Sequence, residues 1–434
     1  MFPAIIFRVS FAASMSTVYQ RLGRGSIYEV NLRQYSPSGD FAGFEPHLPR
    51  LAAMGVGILW FMPLTPISLA GRKGSLGSYY ACSDYRAVNP EYGTLEAFRR
   101  IVSEAHALGM QVVIDWVANH TGLDHGWTRT HPDFYRRNAD GAFFDANGWD
   151  DVIDLDYTNP RLREEMIASM RWWLDQAGID GFRCDMAMLT PVDFWRQARE
   201  ALDPFRRLVW FAELDPIDHP DYMQVFDAAY AWRWMRATEA FPGPRDGGLD
   251  GLHALLEHYR ARSLWRYRPA WFTSNHDENS WNGTEYEKYG GMALPLAVFS
   301  CLWPGLPLIY SGQEIPNRRR LAFFDRDPLQ WVDAPALHDF YRSLLELRRR
   351  HPAFDAEVVE RVASSADDRV FCFQRRQAGH RVLVVLNLSG EPVTDLRFSD
   401  SGLHGSWQER FSGVDADPGT GLMLPPWGYS VLVR

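Results

Sequence analysis

Between residues 26 and 350 the chain alternates short apolar runs with stretches of helical spacing. The runs at 26–32, 57–64, 111–117, 181–186, 208–214, 226–232, 270–276 and 306–311 read as strands. Helical spacing falls at 44–54, 94–108, 161–177, 191–202, 249–261 and 337–350, with Thr94 and Thr190 as N-caps and Gly55, Gly109 and Gly178 as stops. The run at 57–64 is continuously apolar, as a strand buried on both faces should be. About eight strands separated by helices predict an α/β fold, a closed parallel (β/α)8 TIM barrel. A doubly wound open sheet is the alternative, but it would normally show a Gly-rich turn after its first strand.

Two segments break the alternation. Residues 118–160 are rich in Asn, Asp, Gly and aromatics without a period, and read as an inserted domain B. After His351-Pro352 the composition turns to short β-rich runs at 358–362, 370–376, 381–388, 393–398 and 428–433, a small antiparallel β-domain. The predicted division is an extension at 1–25, barrel at 26–117, insertion at 118–160, barrel at 161–350, and β-domain at 351–434. The extension is apolar but interrupted by Arg8, with Met15 as an alternative start and a signal peptide as the other reading. No apolar stretch is long enough to span a bilayer. A cytoplasmic location is expected, with secretion or the periplasm as the alternative.

The net charge of −9 gives no global attraction to nucleic acid or an anionic membrane. Cys82, Cys184, Cys301 and Cys372 are too scattered for a disulfide framework or zinc site. The glycines at 71–77 hint at a phosphate loop. That motif needs Gly before its lysine and Ser or Thr after it, whereas Arg72 and Gly74 flank Lys73.

In a parallel barrel, chemistry gathers where strands end at their carboxyl termini. Asp115 closes the third run, followed by Asn119 and His120. The fourth delivers Arg183 and Asp185, which share a face if extended. Glu213 ends the fifth, and His276 and Asp277 end the seventh. Any one of these is ordinarily a structural ion pair. Four together on one rim make a cleft of acids, and paired carboxylates without thiols or metal spacing suggest glycoside chemistry. Asp185, held by Arg183, suits the nucleophile. Glu213, among Val, Trp, Phe and Ala, suits an acid whose pKa is raised by apolar surroundings.

Asp-Trp-Val-Ala-Asn-His at 115–120, Gly-Phe-Arg-Cys-Asp at 181–185, Glu213, and Ser-Asn-His-Asp at 274–277 resemble, in order and spacing, the four signature regions of the α-amylase family of glycoside hydrolases. Residues 57–63, 154–156 and 305–314 resemble further regions of that family. The resemblance implies a (β/α)8 barrel with domain B after the third strand and a C-terminal β-sandwich. It also implies retaining chemistry on α-linked glucosides, with Asp185 as nucleophile, Glu213 as acid/base and Asp277 as transition-state stabiliser. Tyr80, Asp115, His120, Arg183 and His276 would surround the sugar.

The sequence departs from the family where many calcium-dependent members carry Lys-His after the nucleophile; here Met188 and Leu189 stand there. Asn119 and Asp154 remain as metal ligands, so no cofactor is required and calcium stays open. The expected substrate is a starch-type α-1,4-glucan or malto-oligosaccharide. The alternatives are an α-glucosidase, cyclodextrin hydrolase or transglycosylase of small saccharides, with Trp116, Trp149 and Trp281 shaping acceptor choice, and, more remotely, a non-catalytic sugar-binding relative. The sequence leaves oligomeric state undefined.

Overall fold

A computed structural model describes Leu22 and residues 25–240, 248–263, 267–355 and 358–434. The predicted extension at 1–25 lies almost wholly outside them. Eight parallel strands close into a barrel in chain order: β1 (Ile27–Val30), β2 (Ile58–Phe61), β3 (Gln111–Trp116), β4 (Gly181–Cys184), β5 (Val209–Ala212), β6 (Ala228–Tyr230), β7 (Arg268–Trp271) and β8 (Leu306–Tyr310), which pairs back onto β1.

Helices pack around this barrel. They include α1 (Leu48–Met54), α2 (Leu95–Ala107), α3 (Pro160–Ala177), α4 (Val192–Leu202), α5 (Trp232–Glu239), α6 (Gly248–Ser263), α7 (Ala293–Leu302) and α8 (His338–Arg350). The Thr94 side chain accepts from the Ala97 N–H and starts α2, and Gly178 in the left-handed region ends α3. Thr190 does not cap α4. Pro191 occupies the cap position, and Thr190 is buried. Two helices lacked a sequence signal. Every residue of α7 except Leu294 is buried, so it has no polar face to mark a period. Helix α5 begins at Trp232, inside the run predicted as the sixth strand.

Strand β7 also sits two residues earlier than predicted, so His276 and Asp277 lie beyond it, at the start of a helical turn, rather than at its end. Gly181 is required by close approach. A Cβ there would lie 2.0 Å from the Val209 carbonyl oxygen on β5.

The excursion after β3 carries a two-stranded antiparallel piece, His120–Gly122 against Val152–Asp154. Beyond α8 lies a six-stranded antiparallel sheet built on Val370–Gln377, His380–Asn387 and Tyr429–Val433, with a separate pair, Val393–Leu396 and Leu422–Leu424. Phe371 and Phe373 on that sheet meet Phe299 and Trp303 at the end of α7. All four cysteines are free and buried. Among the described residues no helix is long and apolar enough to cross a membrane.

Candidate active site

Strand register assembles the acids. Asp115 on β3 pairs across to Arg183 on β4, and Cys184 pairs with Ala212 on β5. One residue further on, Asp185 donates its N–H to the Trp116 carbonyl, and Glu213 donates its own to the Cys184 carbonyl. Asp185 and Glu213 therefore leave neighbouring strands at the same level.

The Arg183 guanidinium is fully buried and serves three carboxylates. Its Nη1 donates to Asp115 at 2.8 and 3.1 Å and to Asp185 Oδ1 at 2.8 Å, while Nη2 lies 2.8 Å from Glu213 Oε2. Trp60 and Tyr230 face it at 4.9 and 5.7 Å from the ring centroids. A buried ion is costly unless opposite charges and hydrogen bonds surround it, and these do. Asp115 is saturated, because it also accepts from Trp60 Nε1 at 3.3 Å and the Tyr80 hydroxyl at 3.2 Å. Its chemistry is to hold Arg183 and Tyr80 in place.

Met186 follows with φ of 37°, an unfavourable left-handed conformation for a residue with a side chain. The kink aims its N–H at Glu213 Oε2, 2.9 Å away. Burial pushes Glu213 up to about 7; Arg183 opposes this, while the charges of Asp185 and Asp277 add to it. Burial likewise lifts Asp185 to about 6, against the pull of Arg183. Of the two, Glu213 holds its proton to the higher pH.

On the other side, His276 Nε2 lies 2.6 Å from the Tyr80 hydroxyl and 3.3 Å from Asp277 Oδ2. Its Nδ1 lies 2.5 Å from Glu29 Oε1. Burial lowers the His276 pKa, but Asp277 and Glu29 outweigh it and lift the ring to about 9, so it is cationic at neutral pH. Burial alone pulls His120 down to about 4 and keeps it neutral.

Tyr80, His120, Asp185, Glu213 and Asp277 line one cavity of about 290 Å³, with Trp149, Trp281 and Phe323 on its walls. This lies near the lower end of the roughly 300–1,000 Å³ of small-molecule sites. The predicted residues Arg183, Asp115 and His276 sit directly behind them. Trp116 does not reach the cavity; its ring is buried between Tyr85 and Phe182. The expectation that Trp116 shapes acceptor choice is therefore corrected. Two participants went unseen in the sequence. Glu29 sits in a β1 run that reads as ordinary strand, and Trp60 in a β2 run that reads as apolar core. An acid inside a strand buried on both faces was the available signal for Glu29.

Asn119 and Asp154 come together, Nδ2 to Oδ1 at 3.4 Å. The other Asp154 oxygen faces Arg136 Nη1 at 3.3 Å and accepts the Ala146 N–H. Both Asp154 carboxylate oxygens thus accept hydrogen bonds in this arrangement. Among the described residues no group of three or more His, Cys, Asp or Glu side chains could hold a metal.

The family model described as "Alpha amylase, catalytic domain" matches residues 5–227, just over half of the chain. The α-amylase MalA of Haloarcula japonica is 27% identical over 392 residues, 85% of this chain; the chain spans 56% of that relative's length. An α-amylase structure from Lactobacillus plantarum superposes with a TM-score of 0.83 at 27% identity, covering 96% of this chain and 100% of that one. The maltogenic α-amylase AmyB of Thermotoga neapolitana superposes with a TM-score of 0.82 at 28% identity, over 95% and 97%. The barrel, its rim of acids and these likenesses agree: the chain belongs to the α-amylase family.

Proposed function

We propose that the protein is a retaining glycosidase that cleaves α-1,4-glucosidic bonds in starch-type glucans or malto-oligosaccharides. The observation that carries this reading is one guanidinium, Arg183, touching Asp185 and Glu213 at the edge of a cavity that Asp277 also lines. An ionised Asp185 attacks the anomeric carbon as the bond to the leaving oxygen breaks, and Glu213 gives that oxygen its proton. Water then enters and gives a proton to the Glu213 carboxylate. Its oxygen bonds to the anomeric carbon, and the ester to Asp185 breaks. Asp277 faces the ring where positive charge develops. A sugar hydroxyl in place of water turns the same second step into transfer.

The reaction needs Asp185 deprotonated and Glu213 protonated. The rate should therefore rise with pH through about 6 and fall beyond about 7, following the two carboxyls. Replacing Glu213→Gln should lower turnover of malto-oligosaccharides by about 10²–10⁴-fold. Aryl glucosides with good leaving groups should lose far less, and the alkaline limb should vanish. Equal losses on both substrates, measured side by side, would remove Glu213 from the acid role.

A further inference from the structure

The segment at 71–77, which resembled a phosphate loop without being one, stands at the cavity's edge. Lys73 lines the cavity and its ammonium lies 2.7 Å from Asp150 and 2.9 Å from Asp151, both in the excursion after β3. The residues beyond it fasten to the loop after β8. The Ser75 N–H donates to Asp325 Oδ1 at 2.8 Å, and the Leu76 N–H to the Phe324 carbonyl at 2.9 Å. Gly74, at φ of 59°, lies so close to Phe324 that a Cβ would meet its side chain at 2.6 Å. From beneath, the buried Arg33 donates to the carbonyls of Leu76, Gly77 and Phe323.

These contacts join three loops, those following β2, β3 and β8, into one continuous wall. Its position around the barrel decides its effect. Glu213, which protonates the departing oxygen, follows β5, three strands from β2 and from β8 and two from β3. The leaving group must lie on the Glu213 side, so the wall stands on the other side, where the glucan would continue from the sugar's O4. The wall is fastened by backbone hydrogen bonds and a buried arginine, with the ion pair of Lys73 at its more exposed edge.

We propose that this wall makes the enzyme exo-acting: the cavity admits only a chain's non-reducing terminal sugar, and Lys73 is a specificity-determining residue. The proposal rests on the glycosidase reading above. Two probes separate the two: a p-nitrophenyl malto-oligosaccharide, and the same compound with its non-reducing end capped by a 4,6-O-ethylidene group. Consumption of each is followed by chromatography. The free-ended probe should disappear about a hundredfold faster or more, because a capped end cannot seat at the reacting distance. Lys73→Ala should cut that ratio about tenfold by opening the wall. If the wild-type protein consumes both probes at similar rates, the wall does not set specificity and the proposal fails. If it consumes neither, the glycosidase reading fails and takes the proposal with it. The wild-type comparison stands even if the variant does not fold.

Discussion

Two sets of buried carboxylates sit around the same barrel, and they are built differently. Asp115, Asp185 and Glu213 share one guanidinium, and two of them open into the cavity. Glu285 and Glu314 lie further out. Glu285 accepts from Thr273 at 2.9 Å and Gln313 at 2.6 Å. Glu314 accepts from the Tyr28 hydroxyl at 2.6 Å, Arg50 at 3.0 Å and the Gly312 N–H at 3.1 Å. Each of these has its own donors and no access to the cavity. Burial therefore does not distinguish a reacting acid from a bracing one. The difference lies in sharing a counter-charge and keeping one edge open to a ligand.

The sharpest break of this comparison is Asp185→Asn. It should reduce turnover by about 10⁴-fold or more while the far-ultraviolet spectrum stays native. A variant with ordinary activity would move Asp185 into the bracing set.

An intermediate effect is expected at Glu29→Gln. Among the described residues the Glu29 carboxylate has its hydrogen bonds with His276, behind the cavity, so it is a positioning residue. Its loss should leave KM nearly unchanged and lower kcat about ten- to a hundredfold. Because Glu29 helps lift the His276 pKa, the His276 ring should titrate at lower pH in the variant, which NMR of the imidazole would record. An unshifted titration would break that link.

The smallest effect on rate is expected at Glu314→Gln. It should cost about 1–3 kcal/mol of stability in denaturant titration through Tyr28 and Arg50, with kcat near that of the parent. A large loss of kcat at unchanged stability would dissolve the division between the two sets.

The sequence made the reacting set legible and left much of its support hidden, for physical reasons. Asp185, Glu213 and Asp277 interrupt or terminate apolar runs, where a charge is costly to bury without a partner or a purpose, and they do so together on one rim. Glu29 lies within a four-residue strand, and its partner His276 is 247 positions away, so only closure of β8 onto β1 reveals the pair. Trp60 carries the same difficulty, since a tryptophan in a buried strand reads as core until Arg183 is found against its face. The barrel was legible because its strands are short and apolar and its outer helices amphipathic. Helix α7 was not, because the β-domain covers its outer face and removes the polar stripe that marks a surface helix. The wall was illegible because a glycine-rich turn acquires meaning only from the two loops it fastens together.

The chain has 45 basic residues, and only Lys73 and Lys288 are lysines. Lys288 is buried against Glu278 at 2.6 Å, with a side-chain exposure of 2%. Lys73 keeps 34% of its side chain exposed, in the wall itself. Of the two lysine amines, an amine-acylating reagent thus finds Lys73 the accessible one. A fluorophore or surface linker coupled there would attach at the gate of the cavity, reporting what enters it and obstructing the same passage.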